Sequence, residues 1–336
     1  MRAVVTADAV ETADAVEIVR QDVTLVVRDG TLAATVVVAP SRAQASLGAL
    51  IVCVPGMTYR RTYYDLTVPG HPGYSFAEFA AAHGHVVVTI DNLGTGDSSR
   101  PAGSGEVDLA RLGAAAADAT AEARARLVGG DLADRLPPAS PATVIGIGHS
   151  MGGGVVVAAQ ANHSCFTAVA ALGFTTQALA GIYEPAHNEA ELTFSQRREW
   201  ARAHIPPKLW GRTWDELEPY FEIDRSGFAD LFYGDDVPAE VIAHDTVAAT
   251  VAPRQASLDI ITPGLGADHA SQIGSPVLLA FGSVDLSPDP RSEVQSYQRS
   301  PDITLLMLDD SAHCHNLASS RAKLWERLVS WIEGIR

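Results

Sequence analysis

The stretch Thr143-Val144-Ile145-Gly146-Ile147-Gly148-His149-Ser150-Met151-Gly152-Gly153-Gly154 decides how the rest of the chain is read. Thr143 to Ile147 is a short run of β-branched and small residues, the pattern of a buried strand. It runs straight into a serine set between glycines, and Gly152, Gly153 and Gly154 open a helical pattern over Val155 to Ala161. Strand, sharp turn and helix form the setting in which Gly-x-Ser-x-Gly lifts a hydroxyl above the carboxyl edge of a sheet. Glycines flank the serine because such a turn crowds any Cβ. A five-residue pattern also arises by chance, so its surroundings carry the reading.

Upstream, Val23 to Val27 and Ala34 to Val38 are two β-branched bursts split by the turn signal Asp29-Gly30, which predicts an antiparallel hairpin. Leu50 to Val54 is a continuous apolar run ending at Pro55-Gly56, and Val86 to Ile90 is a second, after a helical pattern over Phe76 to His83. A longer helical pattern, Val107 to Leu127, leads to Thr143 to Ile147. Downstream come strand-like Val169 to Phe174, Pro276 to Phe281 and Ile303 to Leu308, then an amphipathic helix over Leu317 to Ile335. Strands alternating with helices imply right-handed crossovers, a mostly parallel eight-stranded sheet, and helices on both of its faces.

Residues 174–273 differ in character, with charged helical segments, Pro206-Pro207 and 11 of the chain's 22 aromatics. They read as a helical cap inserted after the sixth strand, dividing a core of residues 16–173 and 274–336, with a flexible N-terminus over residues 1–15. The chain is long enough, at 336 residues and 47% hydrophobic, for one large core with an appended cap. Its formal charge of -16 would repel phosphate backbones and anionic lipid, so nucleic acid and membrane are not expected partners. The first fifteen residues resemble neither a signal peptide nor a membrane anchor, and no run approaches the ~20 apolar residues of a bilayer span. Three widely spaced cysteines, Cys53, Cys165 and Cys314, do not suggest a disulfide framework, and the expectation is a cytoplasmic protein.

A serine hydroxyl needs an imidazole to take its proton. His313 and His315, in Ser311-Ala312-His313-Cys314-His315-Asn316, follow the last strand, and His313, the nearer to the strand, is preferred as base. Asp285 follows another strand end after only Gly282-Ser283-Val284 and is placed to orient the imidazole. Its rival, Asp289, stands between two prolines and reads as the start of a helix. Two donors are needed for a tetrahedral oxyanion, and the backbone N–H groups of Met151 and Met57 are the candidates. His149 reads as a packing residue of the turn, Cys314 has no second base to activate it, and no Cys/His spacing suggests a metal site.

Three segments, Gly148-His149-Ser150-Met151-Gly152-Gly153, Asp91-Asn92-Leu93-Gly94-Thr95-Gly96-Asp97-Ser98 and Gly282-Ser283-Val284-Asp285, together resemble the α/β-hydrolase superfamily, specifically its capped, esterase- or lactonase-like serine hydrolases. The order Ser150, Asp285, His313 matches that resemblance. One departure is Pro55-Gly56 where the family often has His-Gly. The resemblance implies the fold and acyl-transfer chemistry without a cofactor, while the substrate stays open.

The aromatics of the insertion, with Tyr59, Tyr63, Tyr64 and Tyr74, suit an apolar pocket over the nucleophile or, equally, the cap's own core. On the first view Tyr59, Trp200, Trp210 and Trp214 contact the substrate, a medium-sized, largely uncharged ester or lactone. Carbon–carbon bond hydrolysis or acyl transfer by the same three residues, and a non-catalytic ligand receptor on the same scaffold, are the alternatives.

Overall fold

The computed structural model describes residues 16–102, 106–177, 179 and 193–335. The N-terminal segment expected to be flexible, residues 1–15, lies outside the described residues. The two β-branched bursts form an antiparallel pair, β1 (Val19–Val27) and β2 (Gly30–Val38). The continuous apolar runs form β3 (Leu50–Val54), β4 (Val86–Ile90), β5 (Val144–His149), β6 (Ala168–Leu172), β7 (Val277–Gly282) and β8 (Ile303–Leu308). All eight make one sheet in the order β1-β2-β4-β3-β5-β6-β7-β8, in which only β2 runs against its neighbours.

The two-residue side-chain period of the central strands divides the core between the faces of the sheet. Leu50, Val52 and Val54 point to one face, where α2 (Leu109–Gly129) and α3 (Met151–His163) lie, and Ile51 and Cys53 point to the other. That second face is covered by α1 (Phe76–Ala82) and the C-terminal helix, through Phe76, Leu324, Trp325 and Leu328. Each such aliphatic side chain taken from water stabilises the fold by roughly 1.5–3 kcal/mol. With both faces buried, the strands need no polar alternation, which is why they read as unbroken apolar runs.

Between β6 and β7 the chain forms a helical insertion: α4 (Phe194–Trp210), α5 (Ala239–Val247), α6 (Arg254–Ile261) and α7 (Leu265–Ala270), with a short antiparallel pair, Tyr220–Phe221 and Ala252–Pro253. Thr193 and Gln196 cap α4 reciprocally, and Gly211 at φ +64° ends it. The last helix is α8 (Arg321–Gly334).

Several boundaries depart from the sequence expectation, the hairpin strands among them, which begin four residues earlier at Val19 and Gly30; three others bear on the site. The helix behind Ser150 begins at Met151, not Val155, because the poor helix formers Gly152 to Gly154 are held by packing. Strand β6 stops at Leu172, not Phe174, because Gly173 at φ +59° leaves the extended region. Helix α8 starts at Arg321, not Leu317, because His315–Leu317 closes as a 3-10 turn and Ala318 is extended.

Candidate active site

The turn from β5 to α3 is built by exclusion. A Cβ on Gly148 would lie 2.0 Å from the carbonyl oxygen of Gly152, and one on Gly152 would lie 2.1 Å from that of Val54. No other residue fits either position. Ser150 between them takes φ 53° and ψ -121°, a conformation that costs roughly 1–3 kcal/mol. Its N–H donates to the Leu172 carbonyl at 2.8 Å, which ties the turn to the end of β6.

Asp285, three residues beyond β7, has a side chain fully out of solvent and four donors around it. Oδ1 accepts from His313 Nδ1 at 2.7 Å and from the Leu286 N–H at 2.8 Å. Oδ2 accepts from His315 Nε2 at 2.8 Å and from the Gly282 N–H at 2.8 Å. Burial opposes the charge on Asp285, but His313 and His315 outweigh it and hold the carboxyl well below its ordinary range. An ionised carboxylate only accepts, so each imidazole presents an N–H to it. With Nδ1 committed to Asp285, Nε2 is the remaining ring nitrogen of His313.

The loop carrying His313 is held from the insertion. The His313 N–H donates to the Leu231 carbonyl at 2.9 Å, and the Cys314 N–H to that of Phe232 at 3.0 Å. Beneath it, His149 Nε2 bonds the His313 carbonyl at 2.8 Å, and its ring stacks on Tyr63 with centroids 4.6 Å apart. Burial, then the neighbouring imidazoles His313 and His315, depress the pKa of His149 well below the histidine norm. His149 is therefore neutral and donates to that carbonyl. Asp289 is exposed and accepts from the Arg291 N–H at 3.2 Å; it does not cap a helix, since the next turn, Glu293–Ser296, is preceded by Ser292. The Cys314 thiol contacts the Tyr59 hydroxyl at 3.0 Å, and burial raises its pKa and keeps it neutral.

Neutral buried histidines make stability depend on pH. His85, whose Nδ1 accepts from the Ala49 N–H at 3.0 Å, is pulled by burial, and then by His83, from 6.5 to about 4. His149 shifts in the same direction. The unfolded chain then binds these protons more readily, so stability is full above about pH 7 and falls as pH drops through 6.5 toward the folded values. His85 alone accounts for about 2 kcal/mol lost between pH 7 and pH 5. Urea midpoints measured at the two pH values check this; equal midpoints would contradict it.

Ser150, His313 and Asp285 line one cavity of about 400 Å³, walled from the core by Met57, Tyr59 and Phe174 and from the insertion by Trp210, Phe232 and Ile260. The Ser150 hydroxyl and His313 Nε2 share this cavity but are not joined by a hydrogen bond among the described residues. Such contacts commonly close only around a bound substrate. His315 does not reach the cavity; it lies behind Asp285, 1% exposed. Met57 and Met151, the expected oxyanion donors, both line the cavity, and among the described residues neither N–H has an acceptor.

The four expected substrate contacts separate. Tyr59 and Trp210 line the cavity, but Trp200 and Trp214 do not. The Trp200 ring stacks on His204 with centroids 4.8 Å apart, and Trp214 has the guanidinium groups of Arg202 and Arg254 at 4.8 and 4.4 Å from its ring. Both belong to the packing of the insertion around Ala201, Ile205 and Leu258. Sequence reasoning missed Thr58 and Arg225 in the cavity wall. Nothing local marks them: Arg225 is placed by Asp245, twenty residues away. Among the described residues no helix is long and apolar enough to cross a membrane, and no three His, Cys, Asp or Glu side chains are grouped as a metal site.

A parallel sheet with a glycine-bounded serine after its fifth strand and a buried Asp–His pair at later strand ends defines an architecture, and comparison with known proteins agrees. The profile of the Alpha/beta hydrolase family matches residues 51–326, and the chain belongs to that family. Among solved structures, it is similar to a thermophilic esterase from Thermogutta terrifontis (TM-score 0.56, 16% identity, 94% of this chain and 99% of the other). It is likewise similar to a bromoperoxidase from Bacillus anthracis (TM-score 0.60, 14% identity, 94% and 100%). A third similar structure is DcsB, solved with its substrate analogue (TM-score 0.61, 16% identity, 94% and 99%). At these identities the likeness is one of fold. No curated protein matches the chain.

Proposed function

We propose that this protein is a serine hydrolase that cleaves a carboxylic ester or lactone of a medium-sized, largely apolar substrate through an acyl-enzyme on Ser150. The observation that carries the reading is the buried Asp285 holding His313 by Nδ1 in the wall of the cavity that Ser150 enters. With Nδ1–H committed to Asp285, Nε2 is the free base of the imidazole. Substrate binding brings Ser150 Oγ to Nε2, which takes its proton as Oγ attacks the acyl carbon. The oxyanion accepts from the N–H groups of Met57 and Met151, which among the described residues have no other acceptor to give up.

The imidazolium formed on His313 is stabilised by Asp285 and passes its proton to the leaving alkoxide. A water molecule, deprotonated by the same nitrogen, then releases the acid and restores Ser150. His315 and His149 act as positioning residues: one fills the second oxygen of Asp285, the other holds the His313 carbonyl. The cavity size falls within the range of small-molecule sites, roughly 300–1,000 Å³, and its mainly aliphatic and aromatic wall favours uncharged acyl groups.

A panel of p-nitrophenyl esters of rising acyl length and of lactones, run in ¹⁸O-water, tests the reading. The expected result is turnover with an optimum at intermediate length and one ¹⁸O in the acid released. Acyl product joined to an acceptor other than water, in place of labelled acid, would replace hydrolysis by acyl transfer. Tight binding with no turnover of any member would replace it by a ligand receptor.

A further inference from the structure

Two polar side chains in the cavity wall take no part in that chemistry and lack partners for donors they carry. Thr58, next to the expected oxyanion donor, is 3% exposed, and its Oγ1 is buried without a hydrogen bond. Its backbone stands at φ +67°, an outlier for a β-branched residue. Arg225 is 7% exposed. Its Nη2 donates to the hydroxyls of Tyr59 and Tyr233 and to Asp245 Oδ2, and its Nη1 to the Asp245 carbonyl at 3.3 Å, but its Nε–H has no acceptor. Tyr59 links the two, following Thr58 in the chain and lying 4.2 Å beneath the Arg225 guanidinium.

An unmet buried donor is unfavourable, and strained backbone held in place points to a functional demand. Both unmet atoms are sealed from solvent, and a ligand oxygen that draws them to the cavity surface and accepts from them would relieve that cost. The charge state decides which oxygen. Arg225 is already paired with Asp245, both side chains nearly out of solvent, and among the described residues the only other full charge lining the cavity is Asp285. A carboxylate ligand would therefore bring a second negative charge, with no free cation among the described lining residues to meet it, into an apolar space. We infer that Thr58 and Arg225 form a polar subsite for an uncharged oxygen acceptor of the substrate, a ketone, ether or second ester oxygen lying away from the scissile carbonyl.

This inference rests on the hydrolase reading for its meaning, but binding tests it without turnover. The Ser150→Ala protein, which cannot form a hemiketal, is titrated with 4-phenyl-2-butanone, the hydrocarbon butylbenzene and the anion 3-phenylpropanoate, with Kd followed by ligand NMR. The ratio of Kd for butylbenzene to Kd for the ketone is then compared with that in Thr58→Val, which keeps the side-chain shape. A second comparison uses the charge-balanced pair Arg225→Met with Asp245→Asn. The subsite predicts that the ratio falls about fivefold or more in each, and that the ketone binds more tightly than the anion. A ratio unchanged within twofold in Thr58→Val, or tighter binding of the anion, overturns it. Should the paired variant not fold, Thr58→Val decides. A protein that shows this preference but cleaves no ester breaks the hydrolase reading alone, and one that cleaves esters with an unmoved ratio breaks this inference alone.

Discussion

Replacing Ser150 with alanine is expected to lower kcat by about 10⁴-fold or more while leaving the fold intact. On the proposed reading the loss is large because the remaining groups have no nucleophile to act on. The stability effect is small because alanine meets the same positive-φ backbone cost as serine, and the hydroxyl has no hydrogen bond to lose among the described residues. Steady-state kinetics on the best ester of the panel, with thermal melts of both proteins, check the two parts. Residual kcat above a tenth of the parent value would mean that the acyl group never resided on Ser150.

Asp285→Asn is expected to cost nearly as much activity and, unlike the serine change, to cost stability. Each oxygen of Asp285 accepts from one imidazole and one backbone N–H. An asparagine must put its NH₂ group on one side or the other, facing two donors where an acceptor stood. On the His313 side, the ring must turn over its tautomer and lose the lone pair on Nε2; on the other, His315 and the Gly282 N–H are left unmet. Loss of tautomer control corresponds to about 10³–10⁴-fold in kcat. Leaving buried donors unmet costs roughly 1–3 kcal/mol for each. Chemical denaturation and kcat measured on the same sample check this, and an asparagine variant with near-parental values of both would remove Asp285 from the account.

The elements that a one-dimensional pattern determines were legible in the chain. Leu50–Val54, Val86–Ile90 and Ile303–Leu308 form strands over the residues expected: burial on both faces makes the first two mainly apolar, and the third, a half-buried edge strand, is still a mainly apolar run. The glycines at 148 and 152 mark the serine turn because the carbonyls of Gly152 and Val54 leave no room for a Cβ. Asp285 and His313 could be placed at strand ends because a parallel sheet presents its carboxyl edge there.

What escaped was whatever depends on contacts between distant segments. Aromatic enrichment in residues 174–273 could not tell cavity wall from cap core: Trp210 faces the cavity, while Trp200 and Trp214 are taken by His204 and by two arginines. The choice between His313 and His315 rested on loop placement alone. In the folded chain both bond Asp285, and what separates them is which one reaches the cavity. Arg225 carried no sequence signal because a lone charge in a charged segment looks like solvated surface until Asp245 is seen beside it.

The most direct measurement of the central claim, that Ser150 is the nucleophile, is the intact mass and peptide map of the protein after reaction with a fluorophosphonate. The account predicts one phosphonyl group per chain, located on Ser150 and absent from Ser150→Ala. Failure to label the parent protein, or a label that persists at another residue in Ser150→Ala, would contradict it.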